Sequence, residues 1–141
     1  MIDFKSKFGR FAKRKIQKGY FIWLTTVDSS GTPQPKPVWF IWEKNSFLIY
    51  SQAQAFKVKH IRKNPQVALH FNTLDELGEE RIIVLSGKAK IDKRSLPANK
   101  NSAYLKKYRT GIRGLSMTPE EFANEYSVPI RISPAKLRGS E

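Results

Sequence analysis

Residues 35–65, PKPVWFIWEKNSFLIYSQAQAFKVKHIRKNP, decide the fold. Residues 37–43 are dense in Val, Ile, Phe and Trp, a strand composition. Residues 46–51 form a second apolar run that ends on the hydroxyl pair Tyr50–Ser51. Lys44 and Asn45 separate the two runs, the length of a tight hairpin turn. Small and amide residues at 52–55 then lead into a helical segment carrying Lys57, Lys59, Arg62 and Lys63. Asn64-Pro65 ends that helix, because proline disfavours the helical conformation in the residue before it. No Asp or Glu occurs between Lys44 and Leu74. An aromatic hairpin opening into the start of a basic helix suits a flat ring that carries a phosphate.

Upstream, residues 3–18 (DFKSKFGRFAKRKIQK) place Phe4, Phe8, Phe11, Ala12 and Ile16 at steps of three or four, on one face of a helix. Their cationic neighbours occupy the other faces, the pattern of an amphipathic helix packed on a sheet rather than one lying in a membrane surface. Residues 20–27 (YFIWLTTV) are a strand, and Asp28-Ser29-Ser30-Gly31 is turn chemistry. Prolines at alternate positions make residues 32–36 either a sheet edge or a non-strand segment.

Downstream, residues 66–73 (QVALHFNT) and 81–91 (RIIVLSGKAKI) read as strands, with Gly87 marking a bulge or barrel corner. The acidic segment 74–80 between them reads as an exposed loop. Residues 103–108 read as helix and 110–114 (TGIRG) as a flexible loop. Thr118-Pro119-Glu120-Glu121 carries a capping box with proline at the first helical position. Residues 128–133 (VPIRIS) are a last strand. Six strands at short spacing, with helices around them, imply a closed or nearly closed antiparallel barrel.

The length of 141 residues fits one domain, 1–141, with a real core. No apolar run approaches the roughly 18 residues of a membrane span, and there is no signal-peptide core, so a cytoplasmic location is expected. There are no cysteines and only two histidines, which removes disulfides and thiolate chemistry and leaves too few ligands for a usual zinc site. The net charge of +14 asks for an anionic partner. No P-loop, GxSxG or strand-following GxGxxG is present, and no paired carboxylates occupy a strand end. Any reactive chemistry therefore falls to a cofactor.

The segment FLIYSQAQAFKVKHIRKNPQVALHF (residues 47–71) resembles the pyridoxamine 5'-phosphate oxidase-like family of flavin-binding split β-barrels, and the likeness runs from Gly19 to Ile91, including SGKAKI. The terminal VPIRISPAKLRG is similar to the branch that uses the deazaflavin coenzyme F-420. The resemblance implies a mainly β fold with helices, a six-stranded, Greek-key-like antiparallel split barrel. It implies a homodimer with FMN, or alternatively F-420, at the subunit interface, and hydride exchange with a small-molecule substrate. By position, Lys36, Pro37, Val38 and Trp39 edge the ring, Tyr50 and Ser51 approach the ribityl chain or phosphate, and Lys57 holds the phosphate. Three features depart from the family pattern: Phe56 stands where many members have arginine, Ile82 lies near an expected glutamine, and the C-terminal tryptophan and arginine of true pyridoxamine phosphate oxidases are missing. The departures imply that the phosphate grip is either weaker for FMN or shifted to Lys59 and Arg62, and oxidation of pyridoxamine phosphate is not expected. A flavin-storing protein without turnover is the competing reading. An RNA-binding barrel fits the charge, but no nucleic-acid motif supports it.

Overall fold

A computed structural model describes residues 1–73 and 81–139; the acidic segment 74–80 lies outside them. The strands are β1 (Phe21–Val27), β2 (Pro33–Trp39), β3 (Ile41–Glu43), β4 (Ser46–Ser51), β5 (Gln66–His70), β6 (Ile83–Ile91) and β7 (Val128–Gly139). The helices are α1 (Lys7–Lys18), α2 (Phe56–Lys63), α3 (Ser102–Gly114) and α4 (Pro119–Glu125). All the strands join one sheet in the order β2-β1-β5-β6-β7-β4-β3, with every neighbouring pair antiparallel. The sheet curls into the expected split barrel. No helix among the described residues is long and apolar enough to cross a membrane.

Two cores follow from the strand faces. Ile22, Leu24, Phe47, Ile49, Leu69, Leu85, Ile130 and Ile132 fill the barrel, and α1 closes it with Ala12 and Ile16. The opposite face of β3–β4 presents Ile41, Leu48 and Tyr50 to Tyr104, Tyr108 and Ile112 of α3 and Phe122 of α4. Strand β4 is thus buried on both faces, which explains why its sequence is continuously apolar instead of alternating. Each large aliphatic side chain buried this way contributes about 1.5–3 kcal/mol.

The expected strand over residues 37–43 is in fact two strands that break at Phe40, so the sheet has seven strands rather than six. Strands β2 and β3 are the two opposite edges of the sheet. The chain passes from one edge to the other at Phe40, which leaves that residue's backbone outside either ladder. Tyr108 makes up for this. Its hydroxyl accepts from the Phe40 N–H at 2.8 Å and shares its one proton between the carbonyls of Phe40 and Tyr20. Lys107 Nζ adds a second donor to the Phe40 carbonyl at 2.8 Å and sits 3.9 Å from the Phe40 ring centroid. Burial holds the Lys107 ammonium down at about 8.

Several expected boundaries move. Residues 33–36 join β2 as an edge, and the prolines at 33, 35 and 37 fall at every second position along it. Residues 110–114 continue α3 and are not a loop. The last strand runs to Gly139, not Ser133, because β7 pairs along the whole of β6. The register shifts between Ser86 and Gly87, as a bulge requires, and a Cβ at Gly87 would lie 2.1 Å from the Ser133 carbonyl oxygen. Lys44 and Asn45 both adopt positive φ, 54° and 56°, the conformation of a type I′ hairpin turn. Thr118 and Glu121 form the expected capping box.

Replacing Tyr108 by Phe keeps the ring but strands the buried Phe40 N–H. The expected loss is about 1–3 kcal/mol of stability, the cost of an unmet buried donor, read by urea unfolding. An unchanged midpoint would mean that ring packing alone closes the seam.

Candidate functional site

A cleft of about 240 Å³ opens where the barrel edge meets α2 and the α3–α4 pair. It is lined by Pro37, Val38 and Trp39 of β2, Tyr50 of β4, Lys57 of α2, and a mostly aromatic wall of Tyr104, Leu115, Phe122 and Tyr126 from α3, α4 and the residues that follow each. Trp39 is held between flat neighbours. Its ring lies nearly parallel to Tyr108, with centroids 4.7 Å apart, and to Phe122 at 5.8 Å, and Phe122 in turn stacks on Tyr126 at 4.5 Å. This run of near-parallel rings gives the cleft planar apolar surfaces, suited to an aromatic guest.

Gly111 permits this arrangement. A Cβ there would meet the Tyr20 hydroxyl at 2.4 Å and the Trp39 ring at 2.8 Å, so a glycine in mid-helix lets α3 approach the β2 edge. Tyr50 is fixed from the other side. Its hydroxyl donates to the Leu96 carbonyl at 2.6 Å and receives the Asn101 amide at 3.4 Å. The same Asn101 side chain accepts from Tyr104 N–H, capping α3, and donates to Glu43. Glu43 faces Arg131, only 8% exposed, whose guanidinium also reaches Asp92, Ser46 and Ser95. Arg131 holds the Asp92 carboxyl below its ordinary range.

Lys57 supplies the polar end. It stands in the first turn of α2, where the leading N–H groups have no intrahelical partner. The N-cap residue is Ala55, which has no side chain to cap them, and the first turn contains no acid. Lys57 is half-buried, and its ammonium is pushed down first by desolvation and then by the neighbouring Lys36. No carboxylate pairs with it among the described residues. A lysine in the first turn of a helix, with a second lysine beside it on β2 and aromatic rings lining the same cleft, is chemically suited to an aromatic anion.

The structure brings Pro37, Val38, Trp39, Tyr50 and Lys57 into this cleft, with Lys36 exposed beside Lys57. Ser51 is buried and donates to the Gln52 carbonyl beside it. Lys59 and Arg62 line a different cleft on the outer side of α2. The facing wall, Tyr104, Leu115, Phe122 and Tyr126, is missing from the residues singled out by sequence; its only signal there is aromatic spacing on helices of unknown placement. No cluster of three or more metal-ligating His, Cys, Asp or Glu occurs among the described residues.

The model of the pyridoxamine 5'-phosphate oxidase family matches residues 10–138. No curated protein matches the chain. Among solved structures, the chain is similar to an F420 reductase, with a TM-score of 0.68 and 23% identity over 89% of this chain and 94% of the other. It is similar to a conserved hypothetical protein from Mycobacterium tuberculosis, with a TM-score of 0.76 and 16% identity over 96% and 84% of the two chains. It is also similar to an FAD-binding protein from Mesorhizobium loti, with a TM-score of 0.71 and 12% identity over 92% and 91%.

Gly111→Ala tests how the cleft is shaped. The change alone favours a helix by about 1 kcal/mol, but the new methyl would push the Trp39 ring out of its stacks on Tyr108 and Phe122. The expected result is a lower thermal midpoint and a weaker near-ultraviolet tryptophan band; a stabilised variant with an unchanged spectrum would show that the close approach is not needed.

Proposed function

Because the chain belongs to the pyridoxamine 5'-phosphate oxidase family, we propose that it is a cytoplasmic, homodimeric flavin-dependent oxidoreductase acting on a small molecule, with FMN seated in the cleft between β2, α2 and α3–α4. The observation that carries this reading is Lys57, a half-buried cation without a carboxylate, at an uncapped helix start beside a wall of parallel rings. When bound, the flavin supplies the hydride chemistry. The chain's residues bind and orient: Lys57 and Lys36 balance the phosphate, Lys36, Pro37, Val38 and Trp39 edge the ring through backbone groups, and Tyr50, locked by Leu96 and Asn101, fills the floor. Apart from Lys57, no Asp, Glu, His, Lys or Arg among the described residues lines the cleft, which fits a site whose reactivity comes from its cofactor. Reduction by a nicotinamide donor separates turnover from storage.

The deazaflavin is a second reading. Lys106, Arg109 and Arg113 lie exposed on α3 in a stretch with no acid, more positive charge than one phosphate uses, and Phe56 replaces the arginine that many members carry before the lysine. The mass of the ligand released on denaturation separates the two cofactors.

Members of the family are generally dimeric, and a single chain offers only about 240 Å³, below the about 300–1,000 Å³ of small-molecule pockets. A second subunit supplies the remainder. The outward row Trp23–His70–Val84 across β1, β5 and β6, with exposed Phe21 beside it, is the apolar face offered for pairing. Sedimentation at micromolar concentration is expected to give twice the 16.3 kDa chain mass, and a cofactor-bound monomer would refute this arrangement. Lys57→Ala is expected to weaken FMN binding by about 1.5–3 kcal/mol, the scale of a charged hydrogen bond, with the fold retained. Equal affinity in calorimetric titration would remove Lys57 from the site.

A further inference from the structure

The outer side of α2 carries a second cleft, of about 400 Å³, that shares no lining residue with the first. Its walls are Phe56, Lys59, His60, Arg62 and Lys63 of α2 and the turn after β1, Val27 to Ser29. Phe56 is 70% exposed, an unusual position for a phenyl ring at a helix start. The His60 ring lies behind it at an angle of 17°, with centroids 6.4 Å apart, and Lys59 Nζ lies 5.7 Å from its centroid. His60 is itself pinned, with Nδ1 2.8 Å from the hydroxyl of the buried Thr26. The phenyl ring is thus a supported platform.

The cations around that platform outnumber the acid and are not paired with it. Lys59, Arg62 and Lys63 are exposed and have no ion pair among the described residues. The one acid in the wall, Asp28, has both carboxylate oxygens engaged in its own turn, by the N–H groups of Ser30 and Thr32 and the Gln34 amide. Arg62 and Lys63 sit in the last turn of α2, where cations also complement the helix dipole. That account leaves out Lys59, a turn earlier, and the exposed ring next to it.

We propose that this cleft is a nucleoside-phosphate site, separate from the flavin seat, in which Phe56 stacks a base and Lys59, Arg62 and Lys63 hold the phosphate. A ring platform flanked by cations is the means by which proteins hold nucleotides without reading their sequence. The ligand is either a free nucleotide or one unit of a single strand, since both present a base face and a phosphate.

The test is calorimetric titration of the full chain with adenosine 5'-monophosphate, with and without saturating FMN. The expected affinity is the same within twofold in both cases. Phe56→Ala and the double variant Arg62→Gln/Lys63→Gln are each expected to weaken it by at least about fivefold, the lower end for loss of one base–aromatic stack. FMN affinity should stay unchanged. Because all three side chains are exposed, the variants should stay folded, with Phe56→Ala near the wild-type thermal midpoint and the double variant slightly below it through loss of two charges that complement the helix dipole. Ribose 5-phosphate, which lacks the base, should bind at least about tenfold more weakly. Displacement of the nucleotide by FMN, indifference to Phe56→Ala, or equal binding of ribose 5-phosphate would each overturn the proposal; so would a matching loss of flavin or deazaflavin affinity in the double variant. An eight-residue thymidine strand that binds far more tightly than the mononucleotide, and depends on Phe56, assigns the site to a strand. Equal affinities assign it to the free nucleotide.

Discussion

One phenolic hydroxyl closes this barrel. The chain leaves one edge of the sheet and enters the other at Phe40, and a backbone that belongs to neither ladder needs partners from elsewhere. Tyr108 provides them from α3, bonding to both polar groups of Phe40 and to the Tyr20 carbonyl. The candidate cleft depends on the same contact. Trp39, which precedes the break, stacks on the Tyr108 ring and so takes its position from the residue that seals the seam. Helices α3 and α4 therefore do more than cover apolar surface: they close the barrel and build the wall that faces the β2 edge.

Charge is handled in two contrasting ways. Arg131 is buried and its guanidinium is spent on Asp92, Ser46, Ser95 and Glu43, so the penalty of burying it is offset by hydrogen bonds on several sides. Through Glu43 and Asn101 that network reaches Tyr50, which connects the hairpin turn to the floor of the cleft. Lys57, by contrast, is half-buried with another lysine beside it and no acid. Within a folded chain such an arrangement is unfavourable, because desolvation and like charge both disfavour the ammonium.

Most of the architecture was legible in local patterns. The hairpin turn at Lys44–Asn45, the capping box at Thr118 and the bulge at Gly87 are each set by a few neighbouring residues, and each was found where expected. The errors share one cause. Residues 37–43 look like a single strand because Phe40 is as apolar as its neighbours; only Tyr108, remote in sequence, shows that the ladder breaks there. Residues 110–114 contain two glycines and look like a loop, but Ile112 is buried in the second core and holds them in α3. The Lys57 end of the cleft was readable because it sits at a helix start. The aromatic wall was not, since its residues meet β2 only through tertiary packing.

The seal also has a direction in time. Tyr108 lies 68 positions after Phe40 and 88 after Tyr20, so the seal is a long-range contact. On a chain made from its N-terminus, β1 to β6 precede the residue that fastens their ends. Strand β2 is an open ribbon edge from the moment it pairs with β1, and such an edge invites pairing with other chains. Its three alternating prolines remove backbone donors along that edge. They guard this edge on the nascent chain and in the completed sheet alike.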